Sequence, residues 1–299
     1  MRKTSWAIEK KWGYAILALG LFIGSYLCIV VYKGATRDGL TFAAENDQAD
    51  TNPQPEQKDP NDTKPPRPDH KHPAFGERIE ERKRMVAKDI QVEGVSAWIR
   101  TGVRDPNVLN AMRTVPRHAF VRPSDLRRAY ADHPLPIGLG QTISQPYIVA
   151  YMTEALKLDP NDKVLEVGTG SGYQAAVCAE IAQAVYTIEI LEQLAKSAKE
   201  QLKKLGYRNV FVKAADGYFG WKEKGPFDGI IVTCAAGMVP PPLIEQLKPD
   251  GRMILPLGSP YGYQTLVLVT KDDKGKVRSK RLMGVAFVPM VGRVRGSGR

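Results

Sequence analysis

The sequence after Asp162 alternates short apolar runs with helical segments, and this alternation restricts the possible folds more than any other feature. The helical segments cover 174–182 and 191–205, and the strand-like runs cover 163–167, 185–189, 210–213, 229–233, 253–256, 265–270 and 282–288. Strand, helix and strand at this spacing predict a parallel, doubly wound sheet, because parallel neighbours need a crossover connection. A turn at 273–275 between the last two runs predicts that an antiparallel hairpin ends the sheet. The expected fold is α/β with a mostly parallel sheet.

Near the start of the chain, residues 13–32 form an uncharged, largely apolar stretch of 20 residues flanked by lysine and arginine. At about 1.5 Å per residue, a helix of this length crosses the hydrocarbon core of a bilayer. The stretch is longer than the apolar core of a cleaved signal peptide, so it predicts an uncleaved transmembrane anchor behind a basic segment, 1–12. Because the heavier positive charge precedes the span, the positive-inside tendency favours a domain that faces outward.

A polar stretch, 33–75, separates this anchor from the rest of the chain and contains seven prolines between Pro53 and Pro73. Such a composition cannot bury a core and predicts a disordered tether. The remainder, 76–299, is predicted to be one domain, with a helical, substrate-side region at 76–160 and a ligand-binding sheet at 161–299. An alternative is that translation begins near Met85, which would leave out the anchor and the tether.

The net charge of +11 is a weak indication of nucleic-acid binding because of where the charge lies. Nine lysines and arginines fall between Lys271 and Arg299, and Phe287 is the only aromatic residue among them. Because nucleic-acid grooves interleave basic and aromatic residues, we expect a solvated basic surface and no nucleic-acid partner. The three cysteines and four histidines lack the paired spacing of a zinc site, so no metal is expected either.

The strongest local signal is a buried strand that breaks into glycines and opens a helix, with the sequence VLEVGTGSGY at 164–173. Gly168, Gly170 and Gly172 would let a ligand approach the backbone closely, and the helix start offers unpaired N–H groups. The pattern is not the G-x-G-x-x-G that holds a pyrophosphate. Glu166, two residues before the loop, would repel a pyrophosphate but favour the cationic aminoacyl part of S-adenosylmethionine.

Two further acidic residues follow the next two strand-like runs. Glu189 ends the second run, where a carboxylate can accept hydrogen bonds from both ribose hydroxyls. Asp216, with Gly217 after it, follows the third run, where a carboxylate can bind an adenine amino group. A solvated helix start and a turn-forming Asp-Gly pair are the alternatives for these two positions. Because the carboxyl ends of parallel strands meet at one edge, the three acids together predict a site for S-adenosylmethionine.

Upstream of the sheet, residues 134–146 have the sequence PLPIGLGQTISQP and lead into a predicted helix at 147–156. Ser144 and Pro146 could simply start that helix. The segment nevertheless offers more hydroxyl and amide donors than one helix cap needs, which favours a binding role.

Together, these motifs resemble those of the protein-L-isoaspartate O-methyltransferases, and the resemblance extends over nearly all of 85–292. The TISQP run at 142–146 is far more specific than the glycine loop. The other similar segments are VPR at 115–117, FV at 120–121, LPIG at 135–138, LEVGTGSGY at 165–173, DG at 216–217, PFD at 226–228 and FVP at 287–289. The anchor and the tether are additions to what the resemblance covers.

The resemblance implies a Rossmann-like methyltransferase that consumes S-adenosylmethionine and releases S-adenosylhomocysteine. Its substrates would be damaged proteins and peptides whose L-isoaspartyl α-carboxylate is methylated, after which the ester cyclises to a succinimide. The resemblance marks Ser144 as the active-site serine. We expect Thr142, Ile143 and Ser144 to hold the substrate and Val288 to form a wall along its backbone. A carboxylate is already ionised at neutral pH, so methyl transfer to it needs no strong base.

Two alternatives to this function remain open at this point. A methyltransferase acting on a small molecule or RNA would share the glycine loop, although it would have no reason to carry the 142–146 run. A membrane-tethered binding module with an inactive domain is the other, and the intact Glu166, Glu189, Asp216 and Ser144 argue against it. Because the cofactor is made and kept in the cytosol, we expect a cytoplasmic catalytic domain, against the charge bias around the anchor.

Overall fold

The computed structural model of the protein describes residues 64–91, 101–259 and 262–292. The described residues fall within one compact unit, Lys58–Arg299. The predicted anchor, 13–32, lies outside them. None of the helices in the described part of the chain combines the length and the apolar character that a bilayer crossing needs.

The domain contains six α-helices and nine strands within the described residues. The helices are α1 (Ile79–Met85), α2 (Pro106–Thr114), α3 (Pro146–Leu156), α4 (Tyr173–Ile181), α5 (Glu192–Lys204) and α6 (Pro241–Glu245). The strands are β1 (Leu135–Gly138), β2 (Gln141–Ile143), β3 (Lys163–Val167), β4 (Ala184–Glu189), β5 (Val210–Ala214), β6 (Phe227–Val232), β7 (Leu247–Gly258), β8 (Gln264–Lys271) and β9 (Val277–Val285).

Seven of these strands form one sheet in the order β5-β4-β3-β6-β7-β8-β9. The first five strands in this order, from β5 to β7, are parallel to one another. Strands β7, β8 and β9 pair antiparallel. The mostly parallel sheet and its antiparallel C-terminal end are therefore confirmed. The chain winds from β3 outward to β5 and then returns to β6 on the other side of β3. Open sheets of this kind bind ligands at the carboxyl ends of the strands beside such a reversal.

The last strand lies earlier than the sequence pattern predicts. The apolar run at 282–288 indicated a strand there, whereas β9 covers Val277–Val285 and Val288 lies beyond its end. Residues 277–281 are all exposed on this edge strand, so they carry no apolar pattern. Hydrophobicity therefore marked only the part of the strand that enters the core.

Both faces of the sheet are covered, as a buried parallel sheet requires. Alternating residues of β6 show this, because Ile231 belongs to one buried apolar cluster and Ile230 and Val232 belong to another. The first cluster also contains the apolar residues of α2, α3 and α4 and of the segment 85–90. The predicted helical region before the sheet is thus packed on one of its faces.

Residues 64–75, which the sequence assigns to the tether, make specific contacts with the domain. The Arg67 guanidinium donates hydrogen bonds to the carbonyl oxygens of Glu180 at 2.9 Å and Ile181 at 3.2 Å, at the end of α4. The His70 ring nitrogen Nε2 lies 3.0 Å from the Glu180 carboxylate. Phe75 packs against His70 with ring centroids 4.7 Å apart. These contacts fix the chain to the domain before α1 begins.

Candidate active site

The glycine loop leaves β3 in a conformation that only glycine adopts easily. Gly168 has φ +100°, and a Cβ built on it would lie 2.5 Å from the Thr233 hydroxyl oxygen. That hydroxyl, at the end of β6, donates to the Gly168 carbonyl at 2.6 Å. The positive φ and the close hydroxyl both exclude a side chain here. The loop is consequently fastened to the end of the neighbouring strand.

Of the three loop glycines predicted to bind the cofactor, two line the cleft above the sheet and one does not. Gly168 and Gly170 line this cleft. Gly172 faces α5 instead, since a Cβ added there would lie 3.1 Å from the Leu202 Cδ1. Its φ of +87° also lets the chain enter α4. Gly172 thus allows α4 and α5 to pack closely and allows the chain to turn into α4.

Glu189, at the end of β4, holds the glycine loop from the side. Its Oε2 accepts a hydrogen bond from the Gly170 N–H at 2.8 Å, and its Oε1 accepts one from the Leu191 N–H at 3.0 Å. A carboxylate has about four acceptor positions. Both oxygens can therefore still accept a ligand hydroxyl while they keep these backbone bonds, and Glu189 lines the cleft.

Glu166 is the most deeply buried acid of the cleft, with 1% of its surface exposed. Its Oε2 accepts a hydrogen bond from the Thr187 hydroxyl at 2.5 Å. Its Oε1 has no hydrogen-bond partner within the described residues. Burial, together with the nearby Glu189, raises the pKa of Glu166 to about 8. A buried acceptor without a partner is costly, and here it belongs to a residue that lines a cleft.

Asp216 lies beside this cleft, and Gly217 lines it. The Asp216 Oδ1 accepts a hydrogen bond from the Tyr218 N–H at 2.9 Å. The chain near its C-terminus returns to this point, because a Cβ added to Gly292 would lie 2.6 Å from the Asp216 Oδ2. The residues just before Gly292 therefore cover the Asp216 side of the cleft.

Ser144 follows β2 and leads into α3 without capping it. Helix α3 has Gln145 at its N-cap position, and no side-chain cap comes from that residue. The Asp132 carboxylate accepts from the Tyr147 N–H at 3.0 Å and from the Gln145 side-chain amide at 2.8 Å. No hydrogen bond joins the Ser144 hydroxyl to another described residue. Pro146 begins the helix, as the helix-start alternative predicts, whereas Ser144 does not cap it and its hydroxyl is available to a ligand.

Two concave surfaces meet at Ser144. The inner cleft, about 770 Å³ and open to solvent, is lined by the glycine loop, Glu166, Glu189 and 288–291. The outer groove is lined by Tyr147, Ile148, Tyr263 and 283–288. Both surfaces share four residues, namely Thr142, Ser144, Thr233 and Val288. Ile143 lines the inner cleft but not the outer groove. The structure thus brings three of the four predicted substrate residues, Thr142, Ser144 and Val288, together at the junction of the two surfaces.

Several cleft residues were missed by the sequence analysis. Thr233 and Cys234 follow β6, so the rule that ligands bind where parallel strands end could have found them. Residues 289–291 could not have been found in this way, because they reach the cleft through pairing with Ala235. Their placement depends on hydrogen bonds from the Ala235 N–H to the Val288 carbonyl and from the Met290 N–H to the Ala235 carbonyl, both at 2.8 Å.

The inner cleft has a strongly acidic character that fits a cationic ligand. Burial, together with the nearby Glu189, Asp216 and Glu166, raises the pKa of the Cys234 thiol to about 12. The same acids would stabilise a sulfonium and an ammonium group. The donor set, the Glu166 oxygen without a partner and the open approach at Gly168 all fit S-adenosylmethionine.

The sheet and its acidic, glycine-lined cleft define a Rossmann-like methyltransferase that depends on S-adenosylmethionine. Residues 93–295 match the family described as protein-L-isoaspartate(D-aspartate) O-methyltransferase. This match covers more than half of the chain. The protein belongs to the protein-L-isoaspartate O-methyltransferase family.

Relatives with the same family name agree with this membership. The chain is 59% identical over 188 residues to protein-L-isoaspartate O-methyltransferase 2 of Syntrophobacter fumaroxidans, which covers 63% of this chain and 76% of that protein. It is 52% identical over 212 residues to the protein of the same name from Nitrosococcus oceani, which covers 70% of this chain and 96% of the relative. The anchor and tether predicted from the sequence precede the segment that the family match covers.

Solved structures support the fold. A protein-L-isoaspartate O-methyltransferase aligns with a TM-score of 0.62 and 28% identity over 71% of this chain and 67% of its own. A Plasmodium falciparum structure described as a protein-L-isoaspartate O-methyltransferase, in complex with S-adenosyl-L-homocysteine, aligns with a TM-score of 0.56. It is 26% identical and covers 71% of this chain and 96% of its own.

Proposed function

We propose that this protein transfers the methyl group of S-adenosylmethionine to the free α-carboxylate of L-isoaspartyl residues in damaged proteins and peptides. The methyl ester then closes to a succinimide, which begins repair. The observation that carries the proposal is the position of Ser144 in the wall shared by the inner cleft and the outer groove. A group-transfer enzyme needs its two reactants to meet at one point. Membership of the family supports the choice of substrate.

The inner cleft is assigned to the cofactor. Glu189 would accept the ribose hydroxyls, Asp216 and Gly217 would border the adenine, and Glu166 would face the aminoacyl part. Gly168 and Gly170 would allow the ligand to approach the backbone. When bound, S-adenosylmethionine supplies an electrophilic methyl group. The task of these residues is to hold and orient it.

The outer groove is assigned to the peptide that carries the isoaspartyl residue. The Ser144 hydroxyl would donate a hydrogen bond to the substrate carboxylate and orient one oxygen toward the inner cleft. Thr142 and Ile143 would complete this wall, and Val288 would face it. The Val288 carbonyl already accepts from the Ala235 N–H at 2.8 Å, so this part of the wall is fixed in place. Residues fixed in this way raise the rate by alignment and do not need to act as a base.

The purified full-length protein, given S-adenosylmethionine and a short isoaspartyl peptide, should form a methyl ester that releases methanol on alkaline hydrolysis. The same peptide with a normal aspartate is the matched control and should give none. If both peptides are inactive while the protein still binds S-adenosylhomocysteine, the proposed substrate is wrong. A small-molecule or RNA methyltransferase then becomes the better hypothesis.

We also propose that residues 13–32 anchor the protein to a membrane and that the catalytic domain lies on the cytosolic side. The supply of cofactor in the cytosol supports this side, although the charge flanking the span favours the other. Added protease should cut the domain only after the membrane that holds the anchor is broken. Digestion while that membrane is still intact would place the domain on its outer side instead.

The basic surface near the C-terminal hairpin is assigned to solvent and not to nucleic acid. Arg278, Lys280 and Arg281 are exposed on β9, where lysine and arginine protect a sheet edge from unwanted pairing. A gel-shift assay with single-stranded and double-stranded DNA and RNA should show no complex at physiological salt. A complex that survives this salt would restore nucleic acid as a partner.

A further inference from the structure

Arg117 is a fully buried arginine outside both the inner cleft and the outer groove. Its side chain has 0% exposure, and its Nε donates a hydrogen bond to the Ala129 carbonyl at 2.9 Å. Its two terminal nitrogens, Nη1 and Nη2, have no hydrogen-bond partner within the described residues. The protein therefore buries a guanidinium, most of whose donors find no acceptor in the part of the chain that the structure describes.

Stability alone does not account for such a residue. Burial lowers the pKa of Arg117 to about 10, while the nearby Tyr173, Tyr130 and Asp132 favour the charged form. The group thus remains cationic at neutral pH. A buried charge costs several kcal/mol, and apolar residues of similar volume are often neutral or stabilising in its place. A role in the reaction would explain why the charge is kept.

One side of Arg117 contacts the cofactor half of the site. Its guanidinium lies over the Tyr173 ring, with the central carbon 4.9 Å from the ring centroid. Tyr173 is the first residue of α4, directly after the glycine loop, and it also lines the inner cleft. A cation is attracted to the face of an aromatic ring, and more strongly where water is excluded. The guanidinium therefore fixes the ring at the start of α4.

The Arg117 side chain also contacts the segment that leads to the substrate half of the site, through the hydrogen bond from its Nε to the Ala129 carbonyl at 2.9 Å. Asp132 lies three residues after Ala129 and favours the charged form of Arg117. The Asp132 carboxylate in turn accepts from the Gln145 side chain at 2.8 Å and from the Tyr147 N–H at 3.0 Å. Gln145 directly follows Ser144. The stretch from Ala129 to Asp132 thus connects the guanidinium to the segment that carries the Ser144 hydroxyl.

We propose that Arg117 is a positioning residue for methyl transfer, holding the start of α4 through Tyr173 and the Ser144 segment through Ala129 and the nearby Asp132. The buried cation sets the distance between the two halves of the site. A misplacement of about 1 Å can lower a rate by about 100-fold. This inference rests on the proposed function for its rate measurement, while its binding and stability measurements do not.

The first test compares the full-length wild type with Arg117→Met, which has similar volume and no charge. We expect kcat on the isoaspartyl peptide to fall by about 10- to 100-fold. The melting temperature should be unchanged or raised, and the Kd for S-adenosylhomocysteine should stay within about threefold. An unchanged kcat would overturn the proposal. So would a loss of kcat matched by an equal loss of cofactor affinity or by a smaller folded fraction.

A second pair of variants keeps the test decisive if Arg117→Met does not fold. Arg117→Lys keeps the charge but not the planar group that stacks on Tyr173, and Asp132→Asn keeps an oxygen that can accept from the Tyr147 N–H. If both residues act through one connection, the double variant should lose less activity than the product of the two single losses. A double loss equal to that product would overturn the connection. An inactive wild type would instead count against the proposed function.

Discussion

The Thr187 hydroxyl on β4 donates a hydrogen bond of 2.5 Å to the Glu166 Oε2 on β3, the residue paired with it in the sheet. Thr187 in turn lies 2.6 Å from the Thr169 hydroxyl. Because Thr187 donates to the carboxyl group, Thr169 must be the donor to Thr187. One oxygen of Glu166 is thus held by a fixed chain of hydroxyls. The other, Oε1, is left to whatever occupies the cleft.

Cofactor affinity should depend on pH through Glu166. Its pKa of about 8 means that this carboxyl is mostly protonated in the ligand-free protein at neutral pH. A cationic ligand favours the ionised form, so binding below about pH 8 should release a proton. Affinity for S-adenosylhomocysteine, which keeps the aminoacyl ammonium group, should therefore weaken as pH falls below 8, by up to about tenfold per unit. Calorimetry in buffers with different heats of ionisation measures the released proton.

The matched control for this prediction is Glu166→Gln, which keeps the shape of the side chain and cannot titrate. Its affinity should be lower at pH 8 and should change little between pH 6 and pH 8. It should also release no proton on binding. A wild type whose affinity follows the same flat profile would show that Glu166 does not couple to the ligand.

Removing the Ser144 hydroxyl should affect turnover and little else. The hydroxyl makes no hydrogen bond to a described residue, so Ser144→Ala leaves no buried group without a partner and should leave the melting temperature unchanged. Loss of one oriented donor should lower kcat on the isoaspartyl peptide by about 10- to 100-fold. Affinity for S-adenosylhomocysteine should stay the same. Ser279→Ala, on the exposed face of β9, is the control. Equal losses in turnover and cofactor affinity would contradict the role given to Ser144.

The sheet and its acidic edge could be predicted because their signals are local. A buried strand followed by glycine or an acid is visible in a short window, and the order of such windows fixes the carboxyl ends of the strands. Glu166 and Glu189 were found in this way. The start of α2 was equally visible, because the Asp105 carboxylate accepts from the Asn107 N–H at 2.8 Å within the same turn.

The parts that escaped prediction depend on contacts between distant residues. The Asp132 carboxylate caps α3 by accepting from the N–H of Tyr147, which lies 15 residues further along the chain. No short sequence pattern predicts that hydrogen bond. The motif around Arg117 was recognised only through the family resemblance, and burial of its charge could not be inferred from neighbours in sequence. Gly172 was assigned to the ligand because it shares a motif with Gly168, and its packing against α5 could not be predicted from that motif.

Gly168→Ala should weaken cofactor binding strongly and should affect the folding of the protein less. A Cβ there would lie 2.5 Å from the Thr233 hydroxyl oxygen, and φ is +100°. The loop must therefore shift, at a cost of about 1–3 kcal/mol. Gly237→Ala is the control, because it is exposed, has ordinary φ and has nothing within 4 Å of its added Cβ. Calorimetry with S-adenosylhomocysteine should show at least a tenfold loss for the first variant only. Similar affinities for both would mean that the loop does not contact the ligand.

Arg82 decides whether a chain beginning at Met85 can make a stable domain. This residue of α1 is buried, and its guanidinium donates to the carbonyls of Arg113 at 2.8 Å and Glu77 at 2.7 Å. Hydrogen bonds to a charged group contribute about 1.5–3 kcal/mol each, and carbonyls left without a donor add to the loss. Arg82→Ala should therefore lower the free energy of unfolding by about 3 kcal/mol or more.

The neighbouring Lys83 is the matched control, since both side chains of its ion pair with Glu80 are exposed to solvent. Lys83→Ala should change the free energy of unfolding by less than about 0.5 kcal/mol. A chain that starts at Met85 lacks Arg82 and also the Arg67 bonds to the end of α4. It should melt roughly 10 °C or more below a chain that starts at Lys64. Equal melting temperatures would show that residues 64–84 are dispensable, and translation from Met85 would then give a complete domain.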